Sequence, residues 1–307
     1  MANTIADKLT YLSDTKDAIK QAITGKGVDV SDTDTFRSYA DKISSIQTGG
    51  SLAGAPSGIR FSNSTFTTVP TEIIPYLEQQ ADLSHIFEYC RSLTTVPLFD
   101  TSKATGMNNM FNGCGSLQKV SQLDTSSVTN MGYMFNNCSK LTTVPHFVTS
   151  RVNNMGYMFG NCSKLTTVPH FVTSRVDNMG YMFSNCTSLI SVSLFDTSKC
   201  TNMYMMFSGC SSLQTVSLLD TSNVDSMAAI FNRCTSLTNL GGFTGLKLSL
   251  NLSSSPLTVD SVMNVINNAA DMTSSPRTLT LRRDAFDKLS QEQIATANAK
   301  GWNIAVE

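Results

Sequence analysis

The chain has 307 residues, enough for about one to three domains, and 22 Lys plus Arg against 23 Asp plus Glu leave a formal net charge of −1. That balance argues against a nucleic-acid partner, because releasing phosphate counterions needs a strong positive excess. No apolar run is long enough to span a membrane, and the opening Met1-Ala2-Asn3-Thr4-Ile5-Ala6-Asp7-Lys8 lacks a basic stretch leading into an apolar one, so neither membrane insertion nor a secretory leader is predicted.

Residues 4–24 are predicted to form a helix with Ile5, Leu9, Leu12, Ile19 and Ile23 on one stripe. Lys16 fills the gap in a heptad-like spacing, which suggests an oligomerisation seam, with a homotrimer expected, or a hairpin. The partner in that hairpin would be a second helix from about Thr33, carrying Phe36, Tyr39, Ile43 and Ile46. Residues 1–47 thus read as a helical attachment or oligomerisation segment, and the Gly/Ser-rich run 48–58 as a flexible linker.

From there the chain repeats. Cys90, Cys114, Cys138, Cys162, Cys186, Cys210 and Cys234 recur every 24 residues, with Phe87 to Phe231 three residues before and Leu93 to Leu237 three after in the same register. Columns at one fixed period indicate a solenoid rather than a disulfide framework. The eighth cysteine, Cys200, stands in a column of valines (Val128, Val152, Val176, Val224), so all eight are expected to be reduced and buried. Leu-x-x-Val is β-prone, and Met-x-x-Met-Phe places apolar groups at i, i+3 and i+4, as in a short helical turn. Pro97, Pro145 and Pro169 are expected to end the strands. The predicted fold is therefore an α/β repeat solenoid over 59–243 of about seven 24-residue units, each a short parallel strand and a short helical turn. A degenerate first unit spans 59–89, and an α/β cap (244–307) contributes strands near 246–252 and 278–281, helices near 258–271 and 290–299, and the sole tryptophan, Trp302.

Asp-Thr-Ser-x-Val-x-Asn-Met-x-x-Met-Phe-x-x-Cys-x-x-Leu, as in Asp124 to Leu141, resembles the BspA-like leucine-rich repeats of bacterial surface proteins. The shorter Leu-x-x-Val-Pro-x-Phe segment resembles repeats in bacteriophage proteins. Lys8 through Ile43 is similar to N-terminal segments of phage tail and baseplate proteins, and the run from Leu246 to Trp302 to the closing segment of the same group. The resemblance implies non-enzymatic adhesion: a virion protein of the tail, baseplate or fibre that binds a host cell-surface glycan or protein and meets other virion proteins through its N-terminal segment. The alternatives are a bacterial cell-surface adhesin and a purely structural virion component.

Residues 138–159 and 162–183 are identical over 22 positions except Asn153 against Asp177, the mark of a duplication. Two columns in this block are expected to face outward: Tyr133, Tyr157 and Tyr181, and the mixed column holding Gln122, His146 and His170. Arg151 and Arg175, with Lys140 and Lys164 against Asp177, give the block a local charge of +3. These tyrosines, Gln122, the two histidines and the two arginines are the candidate ligand-binding residues. The histidines, one coil apart, lack the further ligands and second shell that a zinc site needs, and no catalytic constellation or phosphate loop occurs, so neither metal, cofactor nor enzymatic activity is predicted.

Overall fold

A computed structural model describes residues 5–24, 30–31 and 60–307. Two compact units result: residues 1–60 with 71–75, and residues 61–70 with 76–307. In the first, α1 (Ile5–Thr24) forms where the stripe predicts it. Ile23 is buried and Lys16 and Ile19 are half-buried. The expected second helix with Phe36, Tyr39, Ile43 and Ile46, and the linker 48–58, lie outside the described residues.

The second unit is a repeat solenoid. Its axis is a column of stacked phenylalanines, Phe87, Phe111, Phe135, Phe159, Phe183, Phe207 and Phe231, with successive ring centroids 5.5 to 5.8 Å apart. Aromatic packing at this distance adds about 0.5–1.5 kcal/mol per pair beyond the area buried. The Cys and Leu columns are fully buried beside it, and all eight cysteines are free thiols. Each periodic cysteine donates its Sγ–H to a phenylalanine carbonyl in the preceding coil, from Cys90 on Phe61 at 3.0 Å to Cys234 on Phe207 at 3.1 Å. Cys200 is buried among the valines of its column.

Strands are minimal. β1 (Thr95–Val96) pairs in parallel with β2 (Lys119–Val120), β3 (Thr215–Val216) with β5 (Asn239–Leu240), and β4 (Leu219–Asp220) with β6 (Phe243–Thr244). β1 stops just before Pro97, which lacks the N–H a ladder needs, but against expectation no strand forms before Pro145 or Pro169 in the duplicated coils. The leading stretch joins the array: Thr68 bridges Thr95, and Phe61 stacks on Phe87.

The expected helical turn at Met-x-x-Met-Phe is not a helix. It is a run of tight turns with two left-handed residues per coil, four positions apart, such as Tyr133 (φ 60°) with Asn137 (φ 60°) and Tyr157 (φ 58°) with Asn161 (φ 61°). The turns close on themselves through Met134 N–H to Met131 and Asn136 N–H to Tyr133. The intervening N–H groups of Met131, Tyr133, Phe135 and Asn137 instead donate to Asn154, Gly156, Met158 and Gly160 of the next coil. Up to four peptide units per coil thus point the same way along the array, and these N–H groups find partners without helix or strand.

The C-terminal elements are β7 (Leu250–Leu252), α2 (Val259–Asn268), β8 (Arg277–Leu281), α3 (Arg283–Phe286), α4 (Gln291–Ala299) and β9 (Trp302–Val306). β7, β8 and β9 form a parallel sheet in that order. Thr258 caps α2 by accepting from Ser261 N–H, and Ser290 with Gln293 forms a capping box on α4. Trp302 is 1% exposed, and its Nε1 donates to the Ala270 carbonyl at 2.9 Å.

Candidate functional site

Tyr133, Tyr157 and Tyr181 share the first left-handed column with His85, Asn109, Met205 and Ala229, all at φ between 52° and 62°. Left-handed backbone is uncommon for any residue but Gly or Asn and costs bulky ones most. Because the column also accepts Asn and Ala, the fold does not demand tyrosine there. The three rings stack at 4.5 and 4.2 Å, and Tyr204 closes the row edge-on to Tyr181 at 5.2 Å. Tyr133 is 39% exposed and the other two are half-buried.

Inside the stack the ring faces cover one another, so the inner rings present no flat face to a partner. What the row offers is ring edges and phenol groups, with more exposure at Tyr133. Burial first, and then a hydrogen bond shared with Tyr181, raise the Tyr157 phenol well above its ordinary value; the charge and hydrogen bond of Tyr181 raise Tyr204. Tyr157 and Tyr204 therefore stay neutral throughout the physiological range.

Beneath it lies a polar ladder that the sequence analysis missed. Asn130, Asn154, Asn178 and Asn202 each accept with Oδ1 from the backbone N–H two residues on. Asn178 and Asn202 also donate to the preceding coil's Asn at 3.2 and 3.0 Å. Glycine fits closely beside it in three coils: a Cβ at Gly180 would sit 2.8 Å from Asn202 Nδ2, although Asn108 and Tyr204 hold the same column elsewhere. The available signal was asparagine recurring before methionine at the repeat period.

The mixed column faces outward as expected. Leu98, Gln122, His146, His170, Leu194 and Leu218 are exposed, while Phe99, Leu123, Phe147, Phe171, Phe195 and Leu219 are buried. Gln122 is partly committed, its Nε2 donating to the His146 carbonyl at 2.6 Å. Two residues beyond this column, Asp100, Asp124, Asp196 and Asp220 each accept from a serine N–H two positions on, at 2.8 to 3.1 Å, which pins the corner. The duplicated coils carry Val148 and Val172 there instead, 43% and 45% exposed. Arg151 and Arg175 are exposed in the turns that follow, closed by Val152 N–H to Thr149 and Val176 N–H to Thr173. Among the described residues neither arginine has a carboxylate within ion-pair distance, and no group of three or more His, Cys, Asp or Glu could hold a metal ion. A shallow depression lies between Gln118, Ser139, Lys140, Thr142, Ser163 and Lys164. The tyrosine row and the histidine column stand on separate segments of each coil.

No curated protein matches the chain. Among solved structures it is similar to the leucine-rich repeat protein TpLRR of T. pallidum, at 17% identity and a TM-score of 0.31, over 69% of this chain and 86% of that one. A family model described as "Mycoplasma protein of unknown function, DUF285" matches residues 81–191 and 166–245. Since those matches together span residues 81–245, more than half of the 307, the chain belongs to that repeat family.

Proposed function

We propose that the protein is a non-enzymatic recognition module whose solenoid grips an extended partner on a cell surface by repeating one contact from coil to coil. The observation that carries this reading is the tyrosine row. Three consecutive coils place a bulky aromatic in strained backbone where the same fold accepts Asn109 and Ala229, a cost the fold itself does not require. Phenol groups on aromatic edges suit both sugar hydroxyls and peptide carbonyls, and a stacked array multiplies a weak contact. Membership in a repeat family agrees with an adhesive role.

The vehicle proposed for this module is a phage virion, in keeping with the resemblance noted for Lys8 through Ile43; a bacterial envelope adhesin is the rival. Mass spectrometry of purified particles decides between them. The binding claim is tested on the full chain with Y133N/Y157N/Y181N, asparagine being a residue the left-handed column already holds. Cell-surface binding measured by flow cytometry should disappear while the melting temperature moves by only a few degrees, since lost stacking and relieved backbone strain offset one another at about 1 kcal/mol each. Retained binding with a collapsed melting temperature would make the row a purely structural feature.

A further inference from the structure

A second surface, independent of the tyrosine row, has a chemistry of its own. In four coils the corner position is aspartate, and its carboxylate holds the turn by accepting a serine N–H. The two duplicated coils give up that bond and expose Val148 and Val172 to solvent instead. The exchange loses a turn contact and gains no burial, so folding does not explain it. It does take two carboxylates out of the corner column of these coils, whose one remaining acid is the exposed Asp177, and it leaves exposed His146 and His170 beside an apolar step. Asp124 in the coil before and Asp196 in the coil after stand as acidic borders. The result is a strip two coils wide, basic and apolar, fenced by acids at both ends.

We propose that His146, Val148 and Arg151, with His170, Val172 and Arg175, bind two adjacent acidic sugar residues of a cell-surface glycan, one carboxylate-bearing ring per coil. The spacing admits a sugar chain laid along the coils. Successive coils stand about 4.8 Å apart, close to the advance of a glycan chain per ring. Each arginine offers a planar fork that matches a carboxylate, and each valine with its histidine offers an apolar surface for the C–H face of a pyranose. The acidic borders limit the ligand to a pair: a third and fourth charged ring would meet Asp124 or Asp196.

The test uses the full chain and digalacturonate, followed by NMR titration. Binding should saturate in the millimolar range and weaken with added salt. It should fall by roughly tenfold or more in R151Q/R175Q. V148D/V172D is the sharper variant, because it restores the corner found in the other four coils: binding should vanish and the melting temperature should hold or rise. Tetragalacturonate should bind no more tightly than the dimer, and the methyl ester should not bind. The proposal is overturned if digalacturonate produces no saturable shift, if V148D/V172D binds like the parent or loses stability, or if an alternating Asp-Ser peptide binds better than the sugar. Y133N/Y157N/Y181N should bind digalacturonate normally, so failure here and failure of the tyrosine reading are separately visible.

Discussion

Thr149 and Thr173 occupy the same place in two coils of nearly identical sequence, yet their hydroxyls end differently. Thr149 Oγ1 donates to the Val172 carbonyl at 2.9 Å, as Thr101, Thr125 and Thr221 do to their own next coils. Thr173 Oγ1 is buried with no partner, and the following threonine departs from the pattern too, Thr197 accepting from Asp220 N–H. A satisfied buried hydroxyl contributes about 1 kcal/mol and an orphaned one costs at least as much. Valine at each site should therefore act in opposite directions. T149V should lower stability by roughly 1 kcal/mol in urea melts, and T173V should leave it unchanged or raise it. Equal destabilisation by both would mean that the two hydroxyls are equivalent in solution. The cysteines show the same dependence on the neighbouring coil. Burial pushes the Cys200 thiol up to about 11 and those of Cys90 and Cys234 to about 12, which leaves them protonated donors to carbonyls rather than reactive thiolates.

Within a single coil, the aspartate corner and the left-handed turns are the elements that composition alone describes least well. Hydrogen bonds from serine hold the Asp100, Asp124 and Asp196 carboxyls below their ordinary value of 3.8. A carboxyl depressed in the folded state contributes stability above its unfolded pKa and loses it as pH falls through the folded one. Thermal melts should therefore hold steady above about pH 5 and decline as pH drops below the ordinary carboxylate range, with V148D/V172D declining more steeply. The slope should be gentle, because these groups face solvent; a flat profile down to pH 2 would exclude a stabilising role for the corner. The period, the Phe, Cys and Leu core columns, the outward mixed column and four C-terminal elements (β7, α2, β8 and α4) were legible in the sequence, whereas α3 and β9 were not. The turns were not. Met131, Met134 and Phe135 at i, i+3 and i+4 satisfy a helix and a pair of successive turns equally, and only the column Gly113, Asn137, Asn161, Asn185 and Gly209 carried the left-handed signal. The outward placement of the tyrosines was legible too, but not their mutual stacking, because ring separation depends on a coil spacing and rotamer that one column cannot reveal.

At the scale of the whole molecule, each coil in the solenoid interior bonds chiefly to the coils before and after it, so stability is expected to follow a sum of unit and neighbour terms rather than one global core. The Phe stack, the Sγ–H ladder and the aligned peptide rows recur from junction to junction. An array with interchangeable junctions should tolerate loss of a complete unit. Deleting residues 162–185 removes one period and rejoins Asn161 to Cys186, the residue type that follows it now. The shortened chain should fold cooperatively with its ladders in register, and its urea m-value should fall by under about a tenth, in proportion to the surface lost. Its functions should change unequally. The tyrosine row shortens from three rings to Tyr133 and Tyr157, which weakens cell-surface binding without abolishing it. The acidic-sugar strip shrinks to His146, Val148 and Arg151 beside Asp196, which should eliminate digalacturonate binding outright. Circular dichroism melts, flow cytometry and the NMR titration on this one variant read the three outcomes side by side. A chain that fails to fold after losing a complete period would refute the nearest-neighbour account of its stability.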